Sequence, residues 1–190
     1  MKERSSWAEV AVGETVEWYT PPEIFEALGV SFDLDPCSPI AGPVPWVPAR
    51  RFLSARENGL AVPWSGRVWL NPPYGPLTPR FLHRLAEHGD GIALVFSRTE
   101  TRWFQATAPR ADAICFLRDR VSFIRQDGTR NPAGKTGSGS LLFAFGEECA
   151  RIVDAAYLGW TVYRRDLALL GLGDPERERP GADPTLELLG

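Results

Sequence analysis

Cysteine and histidine are scarce in this 190-residue sequence, which contains three cysteines and two histidines. Cys37, Cys115 and Cys149 are odd in number, far apart and without a Cys-x-x-Cys pair, so neither a disulfide framework nor a zinc site is indicated. His83 and His88 are too few for a histidine-based metal site or catalytic triad. We therefore predict that the protein binds no metal and that its chemistry does not depend on histidine.

Long apolar runs are also absent. No stretch approaches the roughly 18 consecutive apolar residues that span a bilayer. The first 18 residues lack the continuous apolar core of a secretory signal. The sequence therefore predicts a cytoplasmic protein with no membrane partner.

Lysine is nearly missing, because only Lys2 and Lys135 are lysines among 21 cationic residues, and the formal net charge is −3. Bulk positive charge of the kind that coats nucleic acid is thereby excluded. Cations accumulate locally, since residues 98–135 contain eight of them against four acids. This stretch is either a solvated face or a phosphate-binding surface, for which arginine is well suited. The candidate phosphate-binding residues are Arg102, Arg118 and Arg120.

What the sequence does contain is the material for a globular core, because 44% of its residues are hydrophobic and 11% are aromatic. Its length suits one domain. Apolar runs of strand length, such as 91–96 and 113–117, alternate with helical patterns. This alternation predicts an α/β fold, a mostly parallel sheet with helices on both faces. We place the domain at residues 1–172 and a flexible tail at residues 173–190.

Proline marks two local features. Thr20 precedes Pro21 and Pro22, a pattern that predicts the N-cap and first turn of a short helix ending near residue 28. The proline-dense stretch 36–63 predicts an ordered loop with at most one helical turn.

The most informative segment is Asn71-Pro72-Pro73-Tyr74, which directly follows the strand-like residues 66–70. In open α/β sheets, ligands bind outside the carboxyl ends of the strands. The two prolines remove backbone donors, so the loop offers two acceptors, the Asn71 side-chain oxygen and the Pro72 carbonyl. Two acceptors suit an amine with two hydrogens, and Tyr74 adds a flat ring for stacking. The structural alternative is a rigid strand-to-helix turn.

The same four residues resemble the signature (Asp/Asn/Ser)-Pro-Pro-(Tyr/Phe) of amino-group methyltransferases that use S-adenosylmethionine. Over residues 17–145 the chain is similar to the small phage-type DNA adenine methyltransferases. Three further segments match that family in order: Glu17-Trp18-Tyr19-Thr20-Pro21-Pro22, Leu34-Asp35-Pro36-Cys37-Ser38 and Thr101-Arg102-Trp103-Phe104. The resemblance implies a Rossmann-like methyltransferase fold without a separate target-recognition domain, in the cytoplasm of a bacterium or phage-infected host cell.

The resemblance also implies roles at the transfer site. Asn71 and Pro72, with Pro73 fixing the loop, would accept hydrogen bonds from the exocyclic N6 amine of adenine in DNA. Tyr74 would stack on the base after it is flipped out of the duplex. Phe123 is the candidate ring on the opposite side of the base.

For the cofactor, S-adenosylmethionine, the resemblance implies two segments and Asn71. Trp18, Tyr19, Thr20 and Pro21 match the segment beside the methionine moiety, and Asp35, Pro36 and Cys37 match the strand-end loop near the methionine or ribose. Many methyltransferases carry a glycine-rich loop where this chain has Asp35-Pro36-Cys37, a departure that the small phage family shares. The structural alternatives are an Asx-type turn at Asp35, a simple cap at Thr20 and a packing role for Cys37.

Alternative functions remain at this point. The same chemistry could act on a cytosine amine, on RNA or on a protein glutamine amide. A non-catalytic DNA-binding module could retain the fold. Asn71 in the first position of the motif favours adenine, and the joint presence of Asn71 and Asp35 favours an enzyme.

Overall fold

The computed structural model describes residues 18–130 and 138–169. The strands are β1 (Phe32–Asp35), β2 (Ala49–Phe52), β3 (Val68–Leu70), β4 (Gly91–Phe96), β5 (Ala113–Leu117), β6 (Ser140–Phe145) and β7 (Gly159–Tyr163). The helices are α1 (Pro22–Leu28), α2 (Thr78–His88), α3 (Arg102–Thr107), α4 (Glu147–Ala155) and α5 (Arg164–Leu169), with a 3-10 turn at Ala108–Arg110. The tail predicted at 173–190 lies outside the described residues.

These strands form one sheet in the order β2-β1-β3-β4-β6-β5-β7. The pairings β2–β1, β1–β3 and β3–β4 are parallel, whereas β4–β6, β6–β5 and β5–β7 are antiparallel. The prediction of an α/β sheet is confirmed, but the sheet is mixed rather than mostly parallel. An apolar run such as that of β6 indicates burial on both faces and does not indicate strand direction.

Two apolar clusters occupy the two faces of the sheet, because successive side chains on a strand point to opposite sides. Trp69, Ile92 and Leu94 belong to one cluster, which α1 and α4 cover. Ala93 and Val95 belong to the other, which α2 and α3 cover. Helices therefore lie on both faces, as predicted.

The bounds of α1 and α2 have simple local causes. In α2, Phe81, Leu82 and Leu85 lie on one face and are fully buried, and Gly89 ends the helix with a φ of 75°. In α1, prolines start the helix, but Pro21 and not Thr20 occupies the N-cap position, and no side chain caps it. The prediction of Thr20 as the cap is therefore wrong, and its hydroxyl is left for another partner.

The proline-rich stretch contains one element that its composition did not indicate. Ala49–Phe52 forms β2 at the edge of the sheet, paired in parallel with β1. Arg50 and Arg51 are exposed there, so the strand has no apolar alternation to reveal it. Within the described residues, no helix is long and apolar enough to cross a bilayer.

Candidate functional site

A cavity of about 330 Å³ lies at the carboxyl edge of the parallel half of the sheet. Asp35 is the last residue of β1, Asn71 directly follows β3 and Phe96 ends β4. Because these strands run in parallel, their carboxyl ends meet at one edge. The sequence-predicted residues on the cavity wall are Trp18, Tyr19, Thr20, Asp35, Cys37, Asn71, Pro72, Pro73 and Tyr74.

The Asn71 side chain is fixed in orientation. Its Nδ2 donates to the Trp18 carbonyl at 2.8 Å, and a carbonyl can only accept, so the amide cannot be reversed. Its Oδ1 is buried and has no hydrogen-bond partner in the described part of the chain. A buried acceptor without a partner costs about 1–3 kcal/mol. Asn71 therefore presents an acceptor that a ligand amine can satisfy.

The turn after Asn71 is held by α2. The Thr78 hydroxyl donates to the Pro73 carbonyl at 2.9 Å and accepts from the Gly75 amide at 3.1 Å. The Pro73 carbonyl is thus occupied, whereas no hydrogen bond among the described residues uses the Pro72 carbonyl. Two acceptors in this turn are therefore without a hydrogen bond among the described residues, Asn71 Oδ1 and the Pro72 carbonyl.

Tyr74 presents one ring face outward. The other face stacks on Phe96, with ring centroids 4.2 Å apart and an interplanar angle of 20°. Tyr74 is 37% exposed, so the free face is open to a planar ligand. Phe96 also lines the cavity and was missed from the sequence. No chemical signal in the sequence marks Phe96, because an apolar residue at the end of an apolar strand is ordinary.

Phe123 lies behind the wall of the cavity and not on it. It is fully buried and meets Phe96 edge-on at 5.9 Å and Trp18 edge-on at 6.4 Å. In this structure it offers no free ring face to a base. Its contacts instead support Phe96 and Trp18, which in turn hold Tyr74 and Asn71.

The segment that begins with Trp18 is held from two sides. Tyr19 exchanges two backbone hydrogen bonds with Ile124, at 2.8 and 3.0 Å. The Trp46 indole donates to the Thr20 carbonyl at 2.8 Å. The Thr20 hydroxyl is buried without a hydrogen-bond partner in the described structure, although its residue lines the cavity. Pro21 is buried and does not line the cavity.

The strand-end loop after β1 places a buried carboxyl on the cavity. Asp35 accepts a hydrogen bond from the Cys37 amide at 3.0 Å, the Asx-type turn considered as the structural alternative. No cation pairs with Asp35 among the described residues, and burial raises its pKa to about 7. Burial of the Cys37 thiol, with the nearby Asp35 charge, raises the pKa of that thiol, which disfavours a reactive thiolate.

Ser38 adds another polar atom at the cavity. Its hydroxyl is buried and also lacks a hydrogen-bond partner in the ranges described. Pro36, next to Asp35, is buried and does not line the cavity. Three orphaned polar atoms, the Thr20 and Ser38 hydroxyls and Asn71 Oδ1, therefore converge on one cavity with an unpaired carboxyl. Buried polar groups are normally satisfied, so this cavity has the character of a polar ligand site.

The predicted phosphate-binding arginines lie outside this cavity. Arg102 begins α3, and Arg118 and Arg120 follow the end of β5; all three are exposed. Because β4 and β5 run in the same direction, these residues share the edge of the sheet on which the cavity opens. No group of three or more potential metal ligands occurs among the described residues.

Comparison with known proteins gives one family. A family model described as DNA N-6-adenine-methyltransferase (Dam) matches residues 8–167. No significant match to a curated protein or to a solved structure is found.

Proposed function

The chain belongs to the DNA N-6-adenine-methyltransferase family and is a DNA-methylating enzyme, and from this premise we propose how its residues divide the work. The methyl donor is S-adenosylmethionine, and the acceptor is the N6 amine of an adenine flipped out of DNA. The observation that carries the proposal is the orphaned Asn71 Oδ1 beside the unused Pro72 carbonyl.

Asn71 and Pro72 act on the amine. Each accepts one N6 hydrogen, which pulls the nitrogen lone pair out of conjugation with the ring and directs it at the donor. No strong base is required, since the proton leaves readily after the nitrogen has been methylated. A transfer that needs no strong base suits this cavity, because no histidine lines it and Asp35 is the carboxyl on its described wall.

The cofactor residues are those that bring unsatisfied polar groups to the cavity. S-adenosylmethionine supplies an electrophilic methyl group on a positively charged sulfur when bound. Asp35, once ionised, pairs with the positive charge or hydroxyls of this ligand, and the Thr20 and Ser38 hydroxyls complete its hydrogen bonds. Trp18 and Tyr19 form the adjoining apolar wall, while Pro21, Pro36 and Cys37 shape the loops that carry these groups.

Tyr74 holds the target base by stacking on its free ring face. The DNA strands contact the exposed arginines Arg102, Arg118 and Arg120 at the same edge of the sheet. Residues 1–172 form the catalytic domain, and its parallel half, β2-β1-β3-β4, is the Rossmann-like part that carries the cofactor site. Target recognition is assigned to loops of this domain.

The direct test is incubation with tritiated S-adenosylmethionine and DNA, followed by analysis of the nucleosides. We expect label in N6-methyladenine, and none for the Asn71→Ala variant. Because Asn71 Oδ1 acts mainly on the amine, the variant should keep its cofactor affinity within a few fold by calorimetry. Label in a cytosine product, or undiminished turnover by Asn71→Ala, contradicts the proposal.

A further inference from the structure

A second depression, wide and open, lies between α2 and α3 with a volume of about 1110 Å³. Pro76 lines both this groove and the cavity, so the groove starts where the cavity ends. We call it the α2–α3 groove. Of the residues assigned above to the ligands or to DNA, it contains Arg102 alone.

The α2–α3 groove carries an excess of positive charge in a chain of net charge −3. Arg80, Arg84 and Arg102 line it. The acid on its wall, Glu87, faces the His83 ring nitrogen at 3.4 Å. Arg80 and Arg102 are exposed, and neither takes part in an ion pair within the part of the chain that the structure describes. Two guanidinium groups are thus free to meet an anionic partner.

Arg84 has a different task from its two neighbours. Its guanidinium donates to the carbonyls of Leu60 and Val62, the latter at 2.7 Å, and lies 4.9 Å from the centroid of the Trp64 ring. These contacts tie the segment before β3 to α2 and make one wall of the groove. Arg84 still adds positive charge to the groove, but its guanidinium is held in place by these contacts within the protein.

We propose that the α2–α3 groove binds the stretch of DNA strand next to the flipped adenine, an inference that rests on the proposed function. Three observations favour DNA as the occupant. The free cations match a phosphate backbone, the groove continues from the mouth of the cavity through Pro76, and half-buried indoles of Trp64 and Trp103 lie among the arginines. A positively charged groove that also carries aromatic side chains is typical of proteins that bind single nucleic-acid strands. Arg80 and Arg102 contact phosphates there.

The test measures the salt dependence of DNA binding for Arg80→Gln/Arg102→Gln. Its control is Arg110→Gln/Arg151→Gln, which removes the same charge elsewhere: Arg110 precedes β5 at the opposite edge, and Arg151 lies on α4 on the other face. Fluorescence anisotropy follows a labelled duplex that the wild-type protein methylates. Losing two phosphate contacts makes the slope of log K, where K is the DNA association constant, against log salt less negative by about 2. It also weakens binding on the order of tenfold near 0.15 M salt.

We expect that loss for the groove variant alone, with cofactor affinity unchanged in both variants. Equal slopes for the wild-type protein and the groove variant overturn the proposal and leave the methyl transfer standing. An equal drop in both variants also overturns it, because the effect would then be one of net charge. If wild-type protein neither binds nor methylates DNA, the proposed function itself fails.

Discussion

Asp35 is a carboxyl in surroundings that disfavour its charged form. It is buried at the end of β1, and among the described residues it accepts a hydrogen bond from the Cys37 amide. Burial raises its pKa to about 7. A raised carboxyl pKa means that the folded protein holds a proton more tightly than the unfolded chain, in which the value is near 3.9. Ionisation of Asp35 therefore lowers the stability of the folded protein. The resulting negative charge favours binding of a positively charged ligand in the cavity.

Replacing Asp35 with Asn tests this balance, because Asn keeps the acceptor for Cys37 and loses the charge. The wild-type protein should lose stability relative to Asp35→Asn as pH rises from about 4 through 7, by up to about 4 kcal/mol at pH 8. Thermal melts of both proteins across this range measure the difference. The same variant should bind S-adenosylmethionine more weakly, whereas wild-type affinity should rise toward pH 7.

A pH-independent difference between the two melting curves would contradict this prediction. The comparison of two proteins cancels the other titrating groups, which are common to both. A variant that is more stable at pH 8 and yet binds cofactor less well distinguishes a functional carboxyl from a structural one.

At the scale of elements, the segment around Phe123 is coupled to the transfer site through side-chain packing. Ile124 pairs with Tyr19, and Phe123 packs on Trp18, whose carbonyl orients Asn71. Phe123 also packs on Phe96, which backs Tyr74. We therefore expect Phe123 to act as a positioning residue for Asn71 and Tyr74.

Phe123→Leu should lower kcat several-fold and leave the KM for DNA within about twofold, since the packing behind Asn71 and Tyr74 loosens while the surface that meets DNA is unchanged. Steady-state kinetics give both constants. Phe143→Leu is the matched control, a fully buried phenylalanine in the other apolar cluster. Both changes should lower the free energy of unfolding by a similar amount, roughly 1–2 kcal/mol, but the control should keep its kcat. A rise in KM alone would instead indicate direct contact with the base.

The sequence contained enough to predict the polar half of the site. Asn71 with its prolines and Asp35 with Pro36 interrupt apolar runs, and parallel strand ends meet at one edge. Phe96 could not be identified in this way, because an apolar residue closing an apolar strand carries no chemical mark until strand pairing sets it beside Tyr74. The same limit explains β6, whose direction is decided by its neighbours β4 and β5, and Phe123, whose burial follows from tertiary packing.

At the scale of the whole molecule, the four arginines proposed to contact DNA divide between two sides of the cavity. Arg80 and Arg102 lie on the α2–α3 side. Arg118 and Arg120 lead into Val121 and Phe123, which belong to the apolar cluster on the opposite face. The negative net charge is therefore compatible with a confined DNA surface on both flanks of the transfer site.

Arg118→Gln/Arg120→Gln should flatten the salt dependence of DNA binding by about 2 in the log–log slope if both residues contact phosphates. Because the two arginine pairs lie on different sides of the cavity, the effect should add to that of Arg80→Gln/Arg102→Gln in a variant that carries all four substitutions. Anisotropy titrations over a range of potassium chloride concentrations provide the slopes. An unchanged slope would place the DNA surface on the α2–α3 side alone.

The three orphaned polar atoms around the cavity have a consequence for the lifetime of the protein. Each unsatisfied group lowers the stability of the folded chain. A ligand that satisfies these groups stabilises the folded chain by mass action, by about 2.7 kcal/mol at a concentration one hundred times its Kd. Unfolded chains are what proteases degrade. In a cell, the abundance of this enzyme should therefore follow the supply of its methyl donor, so that starvation for the donor removes the enzyme as well as its substrate.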